Sequence, residues 1–344
     1  MRTLDEVRVD LDRIDTELIQ LLDTRLKLAE EVADWKNSRS DVPYTDPARE
    51  AEILESLRAK ANSPILRDGV TDVYLKLFQM SKHIRHLRRV PQSPFRSVCI
   101  IGDGLIGRSI AHLIETKNTW YSDHPTVITV VNKEWSVEML RSCDLIVIAT
   151  PIHAVAETLH RIESCADMLL PGVVVIDVAS VKREVAELFE KSNASNPRLS
   201  CIATHPMGGS QGQGKKHSQS TLFSGRPWVV VPSPQRVKAQ ESVEKFVRYC
   251  GSEVVHVDGS EHDRLVASIS HMPGVVSHAL VDFVRTYDPK ALTIAGSGFE
   301  LMTKIGKTTN TRMRTQISEK NRVEIEKAVR AFADYLHSHP TWTS

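Results

Sequence analysis

The sequence is short of the features that would send a chain to a membrane, an oxidising compartment or a nucleic acid. No apolar run approaches the roughly 18 residues that span a bilayer, and the N-terminus is a charged amphipathic stretch rather than a basic, apolar, small-residue signal. No membrane partner is expected. Cysteine is scarce: Cys99, Cys143, Cys165, Cys201 and Cys250 are odd in number and never spaced as a disulfide or metal pair. That usage fits a reducing, cytoplasmic compartment and predicts no metal site. Excess charge is missing too, since 44 basic and 43 acidic residues leave a formal +1 over 344 residues. No global field draws the protein toward nucleic acid. The one basic cluster, Lys82, Arg85, Arg88 and Arg89, has no interleaved aromatics, so no nucleic-acid partner is expected.

What is present divides into three parts. From Leu4 the apolar residues Leu4, Val7, Leu11, Ile14, Leu18, Leu21, Leu28 and Val32 recur at three and four residues, predicting a helix of about 30 residues. Asp46 before Pro47 is an N-cap followed by proline at the first helical position, opening a second helix. A third is expected from about Thr71 to Arg89. Three such helices make a poor independent core, so a second copy is expected to cover them. Residues 91–97, with Pro91 and Pro94, read as a linker. Short apolar runs then alternate with helical ones at Val98–Ile101, Val127–Val131, Leu145–Ala149, Val173–Ile176, Trp228–Val231 and Val254–Val257. That alternation predicts a doubly wound, mainly parallel sheet over 98–259. Residues 260–344 read as helical, and Gly208 to Ser220 forms a long polar loop.

The N-terminal helices carry a charged constellation. Arg25 occupies the apolar stripe of the first helix, where a hydrophobic residue belongs, and a charge there wants a partner. Lys36 lies eleven residues on, about 20° round the helix, so both cations face one cavity. Asp46, Arg49 and Glu50 are expected to share a face of the second helix's first turn. Together with the runs Ile14-Asp15-Thr16-Glu17-Leu18 and Arg25-Leu26-Lys27-Leu28-Ala29, this resembles the helical chorismate mutase family over roughly residues 4 to 90. The resemblance implies that Arg8, Arg25, Lys36 and Arg49 are the basic residues that hold the substrate, and that Asp46 and Glu50 hold its C4 hydroxyl. The rearrangement of chorismate requires only shape and charge: arginines clamp two carboxylates, and a cation, here assigned to Lys36, stabilises the ether oxygen as charge develops. Arg8 and Arg25 stand 17 residues apart, about 26 Å along one helix, so Arg8 is expected to serve the partner's site. Where the family usually carries Ser and then Gln or Glu near the end of the third helix, this reading places Arg85 and Arg89, as extra anion ligands or as cations favoured at a helix C-terminus.

Gly102, Gly104 and Gly107 form Gly-x-Gly-x-x-Gly between the strand Val98–Ile101 and a helical run beginning near Ile106. The first glycine permits the tight turn, the second lets backbone approach a pyrophosphate, and the helix N-terminus supplies amide donors from Leu105, Ile106 and Gly107. The second strand ends in Asn132-Lys133, without the acidic residue that takes the ribose hydroxyls of NAD. NAD and NADP therefore both remain open, with NAD slightly preferred. Thr150 and Pro151 end the third strand at the sheet's carboxyl edge.

Three further signals follow in order: Asp177-Val178-Ala179-Ser180-Val181-Lys182, His205-Pro206-Met207 and Glu261-His262-Asp263. With the glycine turn, they resemble the prephenate dehydrogenase family over about residues 97 to 320. The resemblance implies that His205 contacts the C4 hydroxyl of prephenate, that Ser180 orients it and that His262 lies in the substrate pocket. Lys304, in Thr303-Lys304-Ile305, stands where the family usually has an arginine for a substrate carboxylate, and Glu300 replaces an earlier arginine.

The sequence thus predicts a multidomain chain: an all-α helical mutase domain (1–90), an α/β Rossmann domain (98–259) and an all-α C-terminal dimerisation domain (260–344). The implied function is a cytoplasmic, homodimeric, two-activity enzyme that converts chorismate to prephenate and then oxidatively to 4-hydroxyphenylpyruvate. The alternative is the 4-amino-4-deoxy pair of reactions, which makes 4-aminophenylpyruvate.

Overall fold

The computed structural model describes residues 2–39, 46–90, 92–208, 214–308 and 311–339. Pro91 of the expected linker and residues 209–213 of the polar loop lie outside the described residues. The chain divides into two compact units, Met1–Pro91 and Gln92–Ser344, so the sequence-expected boundary at 259 falls inside the second.

The first unit is three helices, α1 (Leu4–Asn37), α2 (Pro47–Lys60) and α3 (Pro64–Arg89). Thr3 opens α1 with a reciprocal cap: its Oγ1 accepts from Glu6 N, and Glu6 Oε2 accepts from Thr3 N at 2.7 Å. Asp46 opens α2 by accepting from Arg49 N at 3.0 Å. Helix α3 starts seven residues before the expected Thr71, because Ser63-Pro64 places proline where its missing N–H costs nothing. Its face carries most of the unit's core, with Val70, Leu77, Phe78, Ile84 and Leu87 buried. In α1 only Ala33 is buried, and Leu4, Val9, Ile19 and Leu21 are 65–66% exposed. One copy of this unit therefore leaves its longest apolar flank uncovered.

The second unit is built on β1 (Ser97–Ile101), α4 (Leu105–Trp120), β2 (Val127–Val131), β3 (Leu145–Ile148), α5 (Val155–Glu163), β4 (Val173–Asp177), α6 (Arg183–Ser195) and β5 (Leu199–Ile202). The strands form a parallel sheet in the order β2-β1-β3-β4-β5. The inner strands β1, β3 and β4 are buried on both faces, which explains their Val- and Ile-rich runs. Cys99 and Ile101 of β1 point into a core with Leu159, Ile162 and Phe189, while Ile100 faces Gly107 of α4. The winding reverses between β1 and β3, and such switch points open a crevice at the strands' carboxyl ends.

The rest corrects the single-sheet reading. β6 (Thr204–Pro206), β7 (Pro227–Val230) and β8 (Glu253–His256) form a second sheet, with β6 antiparallel and β8 parallel to β7, and α7 (Val237–Tyr249) between β7 and β8 in sequence. The chain leaves the first sheet after Ile202 because Asp177 captures both Thr204 N, at 3.0 Å, and, through its carbonyl, Thr204 Oγ1 at 2.5 Å. Helices α8 (Gly259–Val266), α9 (Met272–Tyr287), α10 (Ser297–Thr308), α11 (Thr311–Lys320) and α12 (Arg322–Ser338) complete the unit, a π-type turn over Ala267–His271 joining α8 to α9. Helix α8 docks closely on α6, where a Cβ on Gly259 would lie 3.1 Å from Arg183 Cα. Among the described residues, no helix is long and apolar enough to cross a membrane, and no group of three or more His, Cys, Asp or Glu is placed to hold a metal.

Lys117 is fully buried on α4 with its ammonium 4.2 Å from the Tyr249 ring centroid. Burial lowers its pKa to about 7. The folded state therefore holds a proton on this amine less tightly than the unfolded chain, whose lysine titrates near 10.4. Between those values folding must release a proton, so this residue costs progressively more stability as pH falls from about 10 to about 7. We predict that Lys117→Met raises Tm in thermal denaturation, by several degrees near pH 6.5 and by little near pH 10.

Candidate active sites

In the helical unit a polar seam runs across all three helices. Arg25 Nη1 donates to Ser81 Oγ at 3.1 Å, and its guanidinium lies 5.9 Å from the Tyr74 ring centroid. Glu50 pairs with Lys82, Oε1 to Nζ at 2.7 Å. Arg85, buried on α3, reaches Asn37 Oδ1 at 3.3 Å, beside the half-buried Lys36. Three expectations are corrected. Successive helical residues point about 100° apart, so turning Glu50 toward α3 turns Arg49 outward. Arg49 is exposed and pairs with Glu52 at 2.6 Å, and Asp46 is exposed as the cap of α2. The two residues do not share Glu50's inward face. The serine near the end of α3 is Ser81, followed one turn on by Arg85, so the polar row lies one turn earlier than the sequence reading placed it. Arg89 is exposed a further turn along. Arg8 is exposed and pairs with Asp5 at 3.3 Å, away from this seam. Ser81 and Lys82, four and three residues before Arg85 on α3, were missed by the sequence reading, because their contacts with Arg25 and Glu50 join different helices.

The glycine turn has the close contacts that demand glycine. Gly102 adopts φ +126°, and a Cβ there would lie 2.3 Å from Ala149 O. A Cβ on Gly107 would lie 2.1 Å from Gly102 O. At Gly104, by contrast, the space is open, and no side chain caps the amides of Leu105, Ile106 and Gly107 at the start of α4. Thr150 Oγ1, at the end of β3, is buried with no partner among the described residues. Open space over a glycine, free helix-start amides and an orphaned hydroxyl fit a dinucleotide's phosphates. Asp103 in the turn holds Arg108, Oδ1 to Nε at 2.6 Å. Pro151, Asn132 and Lys133 are exposed along the same edge. Arg161 organises the segment after β2, donating to Lys133 O at 3.0 Å and Trp135 O at 3.1 Å and stacking 4.1 Å from the Trp135 ring. Nothing in the local pattern marks Arg161 for this role, since it arrives from α5, 26 residues beyond Trp135.

The third cluster joins the loop after β4, strand β6 and helix α8. His205 Nδ1 lies 2.9 Å from His262 Nε2, and His262 Nδ1 lies 2.8 Å from Asp263 Oδ1. Asp263 also accepts from Lys182 N at 2.6 Å and Arg183 N at 3.0 Å. Asp177, fully buried, pairs with the buried Lys182 ammonium and accepts from Ala179 N at 2.8 Å and from Thr204 N. The same carboxylate thus ties the loop carrying the half-buried Ser180 to the strand carrying His205. Burial, then His262, Lys182 and His271 nearby, hold His205 well below the ordinary histidine range. Burial likewise lowers His271 to about 4. An imidazole so placed stays neutral and able to accept a proton at ordinary pH. Lys304 stands exposed on α10.

Three family descriptions match successive stretches of the sequence: chorismate mutase type II over residues 7–86, the prephenate dehydrogenase nucleotide-binding domain over 117–256 and the prephenate dehydrogenase dimerization domain over 258–343. The glycine turn precedes the second match, so its assignment rests on geometry. The chain is 27% identical over 225 residues to the prephenate dehydrogenase of Lactococcus lactis subsp. cremoris, covering 61% of each protein. It is 24% identical over 271 residues to the T-protein of Haemophilus influenzae, covering 76% of this chain and 65% of that protein. The matches thus span less than two thirds of these two relatives' length. Among solved structures, Synechocystis arogenate dehydrogenase aligns with a TM-score of 0.56 at 24% identity, over 72% of this chain and 94% of its own. Prephenate dehydrogenase from A. aeolicus, in complex with hydroxyphenyl propionate and NAD+, aligns at 0.58 with 22% identity, over 71% and 88%. These likenesses show the fold. The chain belongs to the prephenate dehydrogenase family, with that family's nucleotide-binding and dimerization domains following a type II chorismate mutase domain.

Proposed function

We propose that the chain is a bifunctional enzyme that rearranges chorismate to prephenate in its helical unit and oxidatively decarboxylates prephenate to 4-hydroxyphenylpyruvate in its second. The observation that carries the reading is His205, held in a partly buried hydrogen-bonded line in the same unit as a glycine turn that fits a dinucleotide.

In the mutase site Arg25, with Arg85 one turn from Ser81, meets the substrate's carboxylates, and Lys36 faces the ether oxygen. Glu50, steadied by Lys82, takes the C4 hydroxyl. Arg49 contributes by leaving Glu52, a surface pair of little strength. Arg8 enters from the second copy, and Arg89 adds positive charge at the rim. Support for a homodimer comes from the uncovered flank of α1 and the matched dimerization domain.

In the dehydrogenase site the amides of Leu105, Ile106 and Gly107 hold the pyrophosphate, Gly104 leaves it room, and Thr150 and Pro151 flank it. Asn132 meets the adenosine ribose. NAD is the proposed cofactor, supported by the A. aeolicus structure solved with NAD+; Lys133 is the feature that would serve NADP. When bound, the nicotinamide supplies the hydride acceptor. Ser180 orients the C4 hydroxyl, and His205 takes its proton as the C4 hydride departs. The ring carboxylate leaves as carbon dioxide while the ring becomes aromatic. His262 borders the substrate, and Lys304 offers a substrate carboxylate charge without a bidentate fork. Five free, buried cysteines support a cytoplasmic setting.

With chorismate and NAD the purified protein should raise absorbance at about 340 nm, the reduced-nicotinamide band. His205→Asn should lower that rate by roughly 10²–10⁴-fold and spare the mutase; Lys36→Ala should lower mutase turnover by roughly 10²–10³-fold and spare oxidation of added prephenate. No absorbance change with prephenate would remove the reading, and a higher kcat/KM for the 4-amino analogue would move it to that substrate. Gly107→Ala should weaken NAD binding by about tenfold or more in a fluorescence titration, since its Cβ intrudes on the turn.

A further inference from the structure

The reaction proposed above uses one nitrogen of His205, and the other has a partner. Asp263 is buried and receives two backbone N–H groups, one on each oxygen, from Lys182 and Arg183. An ionised carboxylate only accepts. The 2.8 Å contact therefore places a hydrogen on His262 Nδ1. With His262 neutral, its imidazole carries that single N–H, and Nε2 is left with a lone pair. The 2.9 Å contact to His205 Nδ1 then requires His205 to donate. What remains on His205 is an unprotonated Nε2.

We infer that His262 and Asp263 are positioning residues of the dehydrogenase, fixing His205 in the Nδ1–H tautomer so that Nε2 accepts the substrate's hydroxyl proton. The inference rests on the proposed function for the identity of the substrate and on the hydrogen-bond geometry alone for the tautomer. The line is anchored at its Asp263 end. Asn321, at the start of α12, donates to Asp263 O at 2.7 Å and lies 3.1 Å from His271 Nδ1, while Asp258 caps α8 through Ser260 N and Glu261 N. The tight approach at Gly259 fixes α8 on α6. Such a line does two things: it prevents the imidazole from turning its N–H toward the substrate, and it places the Asp263 charge where the imidazolium forms. The other charged or titratable groups facing it are Asp177 and Lys182 from the β4–α6 segment and His271 from the turn before α9.

The test uses the full-length protein with ¹⁵N-labelled histidine. Long-range ¹H–¹⁵N correlation should show His205 protonated on Nδ1 and bare on Nε2; a hydrogen on Nε2 would overturn the inference whatever the enzyme's activity. Asp263→Asn should lower kcat for prephenate by roughly 10²–10⁴-fold with KM and NAD affinity little changed. It should also move the acid limb of the kcat/KM profile to lower pH, because the anion that stabilises the imidazolium is gone. His262→Gln keeps an acceptor near the former Nε2 and should retain far more turnover than His262→Leu, which removes it. A parallel loss of kcat, KM and NAD affinity, or an acid limb that rises toward the ordinary histidine value, would assign these residues to packing instead. Absence of prephenate turnover in the unaltered protein would defeat the proposed function and leave the tautomer measurement to decide the inference.

Discussion

A buried carboxylate must be satisfied on every side, and at Asp263 that requirement organises the dehydrogenase half of the molecule. Its oxygens take the first amides of α6 and one histidine nitrogen, while its carbonyl takes Asn321 from α12. Leaving such a charge unpaired would cost several kcal/mol, so the helices that follow Gly259 cannot drift from the parallel sheet without breaking it. Asp177 does the same one loop away, locking Lys182 and the start of β6. Two acids with no direct part in the chemistry thereby decide where Ser180 and His205 stand.

The helical unit is organised by the opposite circumstance. Its polar seam is assembled within one chain through Arg25, Ser81, Glu50, Lys82, Asn37 and Arg85, yet α1 buries only Ala33. Apolar side chains exposed at this level along a 34-residue helix call for a covering surface. In the proposed homodimer, assembly would cover this flank and bring Arg8 to the second copy's site.

Much of this was legible in the sequence, for reasons that differ by element. Helix α1 shows in its apolar spacing, the cap of α2 in Asp46-Pro47, and the dinucleotide turn in three glycines placed after a β-branched run, because each of these signals is local. The early start of α3 was hidden by Gly69, which interrupts helical patterning without ending the helix. The second sheet was hidden because β6 is three residues long and its pairing depends on Asp177 diverting the chain. His205 and His262 were found through the family pattern, whereas their contact, the anchoring of Asp263 and the inward row of Ser81 and Arg85 are tertiary facts. Residues distant in sequence meet there, and no periodicity records it. The outward turn of Arg49 has the same origin, since one helix face was already taken by Glu50.

The central claim is that His205 presents a bare Nε2 to the hydroxyl of a six-membered ring substrate beside the bound dinucleotide. A crystal structure with NAD and 4-hydroxyphenylpyruvate tests it most directly. The account predicts the product's ring oxygen within about 3 Å of His205 Nε2, with Nδ1 still turned to His262. A ring oxygen bound away from His205, or facing Nδ1 of a flipped imidazole, would contradict it.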